Sequence, residues 1–128
     1  MVYYWNGPAD EVKRLKQIIC KNGLDDKCIL LGAKDNPYPY LRSADLFVLT
    51  SRYESYPTVI NEALVLDTPV ISIDIPPVYE MLDSDRIYPL EKLPEAISRE
   101  AVSPTVRHWK GAASHNAKVM MQFYDLLS

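Results

Sequence analysis

Two carboxylates flank the start of a predicted helix. Glu54 and Glu62 are separated by seven residues, and Pro57 lies between them. Proline suits the first turn of a helix, because the N–H that it lacks would have no partner there. We therefore expect the N–H groups of Thr58 and Val59 to be free. A free helix N-terminus attracts a phosphate or diphosphate.

The spacing of Thr58 and Glu62 adds a second feature. Residues four apart on a helix share a face and lie about 6 Å apart along the axis. Because helical side chains lean toward the N-terminus, the Glu62 carboxylate would point back to the same place. A carboxylate can accept two hydroxyl protons, as the cis diol of a ribose offers, so the arrangement suits a nucleotide diphosphate. Taken alone, Glu62 also fits a solvated glutamate and Glu54 an ordinary loop residue.

The residues around Glu54 predict a strand, a loop and a helix in succession. The apolar run at residues 46–49 is short and unbroken, which is typical of a strand buried on both faces. After Pro57 the apolar residues follow helical spacing. Ligands bind outside the carboxyl ends of strands in an open parallel sheet, and the loop carrying Glu54 falls there.

Strands and helices alternate along the rest of the chain. Further strands are predicted at residues 2–5, 28–31, 69–73 and 86–88, with the second and third of these buried. Helices are predicted before Asn22-Gly23, around residues 36–42, over 90–99 and over 105–127. In the first helix Val12, Leu15, Ile18 and Ile19 are expected to face the sheet. The pattern predicts an α/β, Rossmann-like parallel sheet with helices on both faces, a domain over residues 1–103 and a C-terminal amphipathic helix over 104–128.

Composition excludes several classes of protein. A chain of 128 residues makes one ordinary domain, and a net charge of −3 without basic clusters argues against nucleic acid as a partner. No apolar run has membrane-spanning length and no signal peptide opens the chain, so a cytoplasmic location is expected. Cys20 and Cys28 lack the spacing of a metal site and are expected to be buried and reduced. His108 and His115 are interpreted as surface residues. Neither a dinucleotide fingerprint nor a phosphate loop is present.

An ordered series of short stretches resembles the retaining glycosyltransferases of the GT-B fold, in particular their group 1, or family four. The Glu54…Glu62 pair is followed by Ala63-Leu64 and then by Thr68-Pro69-Val70-Ile71. Other matching stretches are Trp5-Asn6-Gly7-Pro8, Leu30-Leu31-Gly32, Asn36-Pro37, residues 44–49, Ser72-Ile73-Asp74 and Glu80. The similarity runs from about Val2 to about Leu90. It departs from the family at Ile75-Pro76-Pro77, where relatives often carry glycines.

The resemblance implies a donor-binding domain for a nucleotide diphosphate sugar of the UDP or GDP type, with neither a separate cofactor nor a metal. Glu54 would be the catalytic residue that binds donor-sugar hydroxyls, and Glu62 would bind the ribose. The remaining donor contacts would involve the chain at Tyr56, Pro57, Thr58 and Val59 for phosphate or sugar, and at Gly32 and Ala33, beside Leu31, for the base. Gly7 fits either close approach of the ligand or an ordinary turn.

The resemblance also implies that these residues are part of a larger transferase. The first strand and helix of the donor domain and an N-terminal acceptor domain would be missing, and peripheral membrane association would occur through that absent domain. The whole protein would be a retaining hexosyl-type transferase acting on an acceptor such as a polysaccharide or glycolipid precursor, and the fragment alone would be inactive. The strands at residues 2–5 and 46–49 would lack the neighbour between them, so a gapless sheet built from this chain alone would contradict the fragment interpretation. Two alternatives are a GT-B nucleotide-sugar epimerase and a non-enzymatic α/β regulatory module.

Overall fold

Parallel strands and the helices that connect them make up most of the described chain. The computed structural model describes residues 2–4, 8–102 and 119–122. The strands are β1 (Val2–Tyr4), β2 (Cys28–Leu30), β3 (Leu46–Leu49), β4 (Val70–Ile73), β5 (Ile87–Tyr88) and β6 (Val119–Gln122). The α-helices are α1 (Ala9–Lys21), α2 (Tyr38–Ser43), α3 (Thr58–Val65) and α4 (Leu93–Val102). Short 3-10 helices occur at Pro76–Glu80, Ser84–Arg86 and Leu90–Lys92.

The strands form one sheet in the order β2-β1-β6-β3-β4-β5, and all the described pairs are parallel. This is the doubly wound order 3-2-1-4-5-6, with β6 in the central position of strand 1. The step from β1 to β2 and the step from β3 to β4 run in opposite directions across the sheet. Because such connections are almost always right-handed, α1 and α3 belong on opposite faces. The predicted α/β, Rossmann-like architecture is confirmed.

The helix predicted over residues 105–127 is wrong where the structure describes it. Residues 119–122 form β6, which pairs with β1 through Val2↔Val119 and with β3 through Leu46↔Val119. The backbone N–H and C=O groups of β1 and β3 require partners, and a strand between them satisfies both sides. This pairing overrides the helical spacing of the local sequence. Residues 103–118 and 123–128 lie outside the described part of the chain.

The expected gap in the middle of the sheet is also wrong. The strands at both sides of the predicted gap are joined through β6, which comes from the same chain. This gapless sheet contradicts the strand-order argument for a missing first strand, on which the fragment interpretation is partly based.

Burial is deepest in β3 and β4, as the sequence predicts. Every residue of both strands is buried, and Val48, Leu49 and Ile71 are fully inaccessible. Ile60 and Ala63 of α3 belong to the same core cluster. Because β3 is anchored on both faces, the loop that follows it begins at a fixed point of the fold.

Three burial predictions for α1 and β2 are wrong. Ile29 of β2 is 38% exposed, because it points to the sheet face opposite Cys28 and Leu30, which pack against α1. Ile18 is 39% exposed, whereas Leu15 and Ile19 of the same helix are buried. Both cysteines have free thiols, but neither is fully buried as expected: Cys20 is exposed and Cys28 is half-buried. Burial raises the pKa of the Cys28 thiol.

Two helices end in the same hydrogen-bonded motif. At the end of α1, Leu24 N–H donates to Ile19 C=O and Gly23, at φ +65, donates to Cys20 C=O, as the predicted Asn22-Gly23 stop requires. At the end of α3, Thr68 N–H donates to Ala63 C=O. There the left-handed position is taken by Asp67 at φ 58, not by glycine. Across the described ranges, no helix has the length and apolarity needed to cross a membrane.

Candidate functional site

The loop between β3 and α3 is buried at both ends and exposed in the middle. Ser51 and Pro57 are fully buried, whereas Tyr53 is 82% exposed and Tyr56 is 51% exposed. Asn61 of α3 donates its side-chain N–H to the Tyr56 hydroxyl over 3.2 Å. The loop that carries the half-buried Glu54 is thus fastened to β3 on one side and to α3 on the other.

Glu54 lines a cleft of about 680 Å³ at the carboxyl ends of β3 and β4. One wall is formed by residues 52–55 of the loop after β3, and the other by Ile75, Pro76 and Pro77 of the loop after β4. This is where the sheet order predicts a ligand, because the carboxyl ends of neighbouring parallel strands open toward the same crevice. Glu62 is not among the residues that line this cleft.

The start of α3 differs from the prediction of two free N–H groups. Pro57 has φ −78 and ψ 82, the conformation of an inverse γ-turn. Thr58 N–H therefore donates to Tyr56 C=O over 2.9 Å and is not free. Val59 N–H has no backbone partner among the described residues. One of the two backbone donors expected at this helix start therefore remains, that of Val59. The Thr58 side chain is exposed.

Glu62 lies beside Tyr38, the first residue of α2. The Tyr38 hydroxyl is 3.5 Å from Glu62 Oε1, a long hydrogen bond, and the Tyr38 side chain is 45% exposed. Glu62 is half-buried one turn after Thr58, on the predicted face of α3. The start of α2 and the middle of α3 therefore meet at this carboxylate.

The chain after β2 has the open backbone that close approach of a ligand needs. Gly32 has φ +69, a left-handed conformation, and open space lies where a side chain would begin. Ala33 is exposed next to it. The Lys34 ammonium lies 5.9 Å from the centroid of the Tyr40 ring. Gly7, the other glycine predicted at the site, lies outside the described residues.

A hydrogen bond across the loop after β4 holds the second wall of the cleft. The Tyr79 hydroxyl donates to Asp74 Oδ1 over 2.8 Å, and Pro76 and Pro77 lie between the two residues. This bond raises the pKa of Tyr79, because the carboxylate accepts the proton that ionisation would remove. The side chains of Asp74 and Tyr79 thus close the turn that faces Glu54.

Arg52 is the site residue that sequence reasoning missed. It lines the cleft two residues before Glu54 and is the one cation in that lining within residues 8–102. The sequence shows Arg52 as a lone arginine in the loop after a buried strand. Arg52 belongs to the site because the loop after β4 lies opposite it, and the local sequence does not reveal the position of that loop. In the described ranges, no group of three His, Cys, Asp or Glu side chains could hold a metal ion; His108 and His115 lie outside them.

Known proteins resemble this chain over the same elements. The family model for glycosyl transferases group 1 matches residues 7–89. The chain is 37% identical over 68 residues to an uncharacterized glycosyltransferase of Methanocaldococcus jannaschii, covering 53% of this chain and 17% of that protein.

Two bacterial transferases are also similar. The chain is 33% identical over 61 residues to a lipopolysaccharide core biosynthesis mannosyltransferase of Rhizobium meliloti, covering 48% of this chain and 17% of that protein. It is 32% identical over 60 residues to the N-acetylgalactosamine-N,N'-diacetylbacillosaminyl-diphospho-undecaprenol 4-alpha-N-acetylgalactosaminyltransferase of Campylobacter jejuni, covering 47% and 16%. The chain spans about one-sixth of the length of these relatives. The family match includes β2, β3, β4 and the loops that form the cleft, and the chain belongs to the group 1 glycosyl transferases.

Proposed function

We propose that this chain binds a nucleotide diphosphate sugar and acts as the donor-binding half of a sugar transferase. The observation that carries the proposal is the cleft at the carboxyl ends of β3 and β4, with Glu54 in its wall. A Rossmann-like sheet binds its ligand at this edge. Membership of the group 1 transferases gives the class of reaction.

The two glutamates contact different parts of the donor in this proposal. Glu54, in the cleft, accepts hydrogen bonds from hydroxyls of the transferred sugar. Glu62 accepts them from the ribose diol, with Tyr38 beside it. The open backbone at Gly32 and Ala33 lies against the base. The base is uracil or guanine, and the sugar is a hexose whose anomeric configuration is retained.

Catalysis in this scheme is electrostatic. Negative charge accumulates on the departing nucleoside diphosphate as the glycosidic bond breaks, so groups that stabilise this charge lower the barrier. The N-terminus of α3 contributes the Val59 N–H and the helix dipole, whereas Thr58 N–H is held by Tyr56 C=O. The scheme uses no metal and no further cofactor, so EDTA should leave transfer by the whole enzyme unchanged.

The acceptor side of the reaction belongs to the larger protein. The relatives named above include a lipopolysaccharide core mannosyltransferase and a transferase acting on a diphospho-undecaprenol glycan. By analogy, the acceptor is a polysaccharide or glycolipid precursor, bound by a second domain that associates with a membrane surface. These 128 residues alone should bind nucleotide weakly and transfer no sugar.

Binding of nucleoside diphosphates tests the proposal most simply. UDP and GDP are titrated separately into the chain and the affinity is measured by ligand-observed NMR, which detects millimolar binding. Glu62→Ala should weaken binding of the preferred nucleotide by about 1–3 kcal/mol, the value of hydrogen bonds to a charged group. Glu91→Ala, which removes an exposed glutamate at a distance in sequence from the site, is the matched control.

Two results would contradict the proposal at different points. If neither nucleotide binds the unaltered chain, donor binding is wrong. If a nucleotide binds but Glu62→Ala has the affinity of Glu91→Ala, Glu62 is a surface residue and the ribose lies elsewhere. Glu54→Gln should leave UDP or GDP affinity undiminished, because its partner is the sugar.

A further inference from the structure

We propose that Arg52 provides the cation that binds the phosphates of the donor in the cleft beside Glu54. The inference rests on the proposed function, since it assigns a residue to the diphosphate of that same ligand.

The described lining of the cleft contains few charged groups. Among the described residues that line the cleft, Arg52 is the single cation and Glu54 the single carboxylate. The facing wall consists of Ile75, Pro76 and Pro77, and the two prolines have no N–H to donate. An anion in this cleft therefore has the Arg52 guanidinium as its charged hydrogen-bond donor.

Arg52 is available to bind a ligand. Two other arginines have partners: Arg86 is 2.8 Å from Glu100 Oε1, and Arg99 donates to the Tyr88 hydroxyl over 2.8 Å. Arg52 is exposed and makes no ion pair or hydrogen bond with the described residues. Its planar guanidinium can donate two parallel N–H groups to one phosphate, a geometry that lysine lacks.

The charges of the loop after β3 also favour this role for Arg52. A diphosphate bound in this cleft is repelled by the Glu54 carboxylate. The start of α3 offsets this repulsion only in part, because Thr58 N–H already donates to Tyr56 C=O. Arg52 is two residues from Glu54 in the same loop, so a cation and an anion are available for the phosphates and for the sugar hydroxyls, respectively.

The test separates the phosphates from the rest of the nucleotide. Dissociation constants of UDP and uridine, and of GDP and guanosine, are measured by NMR titration for the unaltered chain, Arg52→Gln, Arg52→Lys and Arg14→Gln. Arg14→Gln is the matched control, since Arg14 is exposed on α1 and its loss changes the net charge equally. Circular dichroism checks that each variant is folded.

Arg52→Gln should weaken binding of the nucleoside diphosphate about fivefold, the effect of removing one exposed ion pair. It should leave nucleoside binding unchanged. Arg52→Lys should recover part of the loss, and raising the salt concentration should weaken diphosphate binding less in Arg52→Gln than in the unaltered chain. If Arg52→Gln binds the diphosphate as Arg14→Gln does, the assignment is wrong while donor binding stands. Equal losses for nucleoside and diphosphate would also overturn it, and an unaltered chain that binds no nucleotide would overturn both proposals.

Discussion

Replacing Thr68 with valine should weaken the connection that positions α2 beside α3. Thr68 Oγ1 donates to Leu41 C=O over 2.8 Å, and both residues are buried. The same carbonyl accepts a longer bond of 3.3 Å from Ala44 N–H, so it is not left without a partner. Valine keeps the shape of threonine, so the main loss is the hydrogen bond. We expect the free energy of unfolding to fall by about 1.5 kcal/mol.

Urea denaturation followed by circular dichroism measures this change. For a chain of this size the melting temperature should fall by about 5 °C. Thr58→Val is the matched control, because the Thr58 side chain is exposed and makes no capping hydrogen bond, and it should change stability by less than about 0.5 kcal/mol. If the two variants unfold at the same urea concentration, the buried bond does not stabilise the fold as argued. Since α2 begins at Tyr38, Thr68→Val should also weaken nucleotide binding by the folded chain.

Three further predictions concern other parts of the fold. Asp67→Val should destabilise the chain by about 1–2 kcal/mol relative to Asp67→Gly in urea denaturation, because φ at this position is 58, where a β-branched residue is strained and glycine is not; equal stability would refute the strain. The Tyr79 ionisation, identified by its loss in Tyr79→Phe and read by ultraviolet difference titration, should have its midpoint above pH 10, since the protonated hydroxyl donates a hydrogen bond to Asp74. The Tyr79 bond therefore stabilises the β4 loop below pH 10 and is lost as the pH rises through the raised pKa; a midpoint at or below 10 would contradict it. Met120→Pro should unfold the chain, because position 120 pairs with both Tyr3 and Phe47, whereas Met120→Leu should not; a folded proline variant would remove β6 from the sheet.

The parts of the fold that the sequence predicts are those with a strong local signal. The apolar runs of β3 and β4 predict burial on both faces because every position contributes to it. The end of α1 follows from Asn22-Gly23, where glycine takes the left-handed conformation that the helix end requires. The location of Glu54 at the carboxyl end of β3 follows directly from this order of elements.

The parts that the sequence does not predict depend on distant pairing. Residues 119–122 form a strand because β1 and β3 each present unpaired backbone groups, and the local sequence does not contain that information. Ile29 is exposed because it lies on the face of β2 opposite the one that packs against α1. Thr58 N–H is occupied because of the ψ angle of Pro57, whereas a proline in the sequence fixes φ alone. The position of Arg52 across the cleft from Pro76 and Pro77 likewise depends on the packing of two loops that are distant in sequence.

Amide chemical shifts of the isotope-labelled chain during a titration with UDP or GDP test the central claim most directly. The claim is that a nucleotide diphosphate binds at the carboxyl ends of the strands. It predicts shift changes, saturating at millimolar nucleotide, that concentrate in residues 31–34 and 52–62 and leave α4 unaffected. The absence of saturable changes, or changes confined to α4 and the outer face of α1, would contradict it.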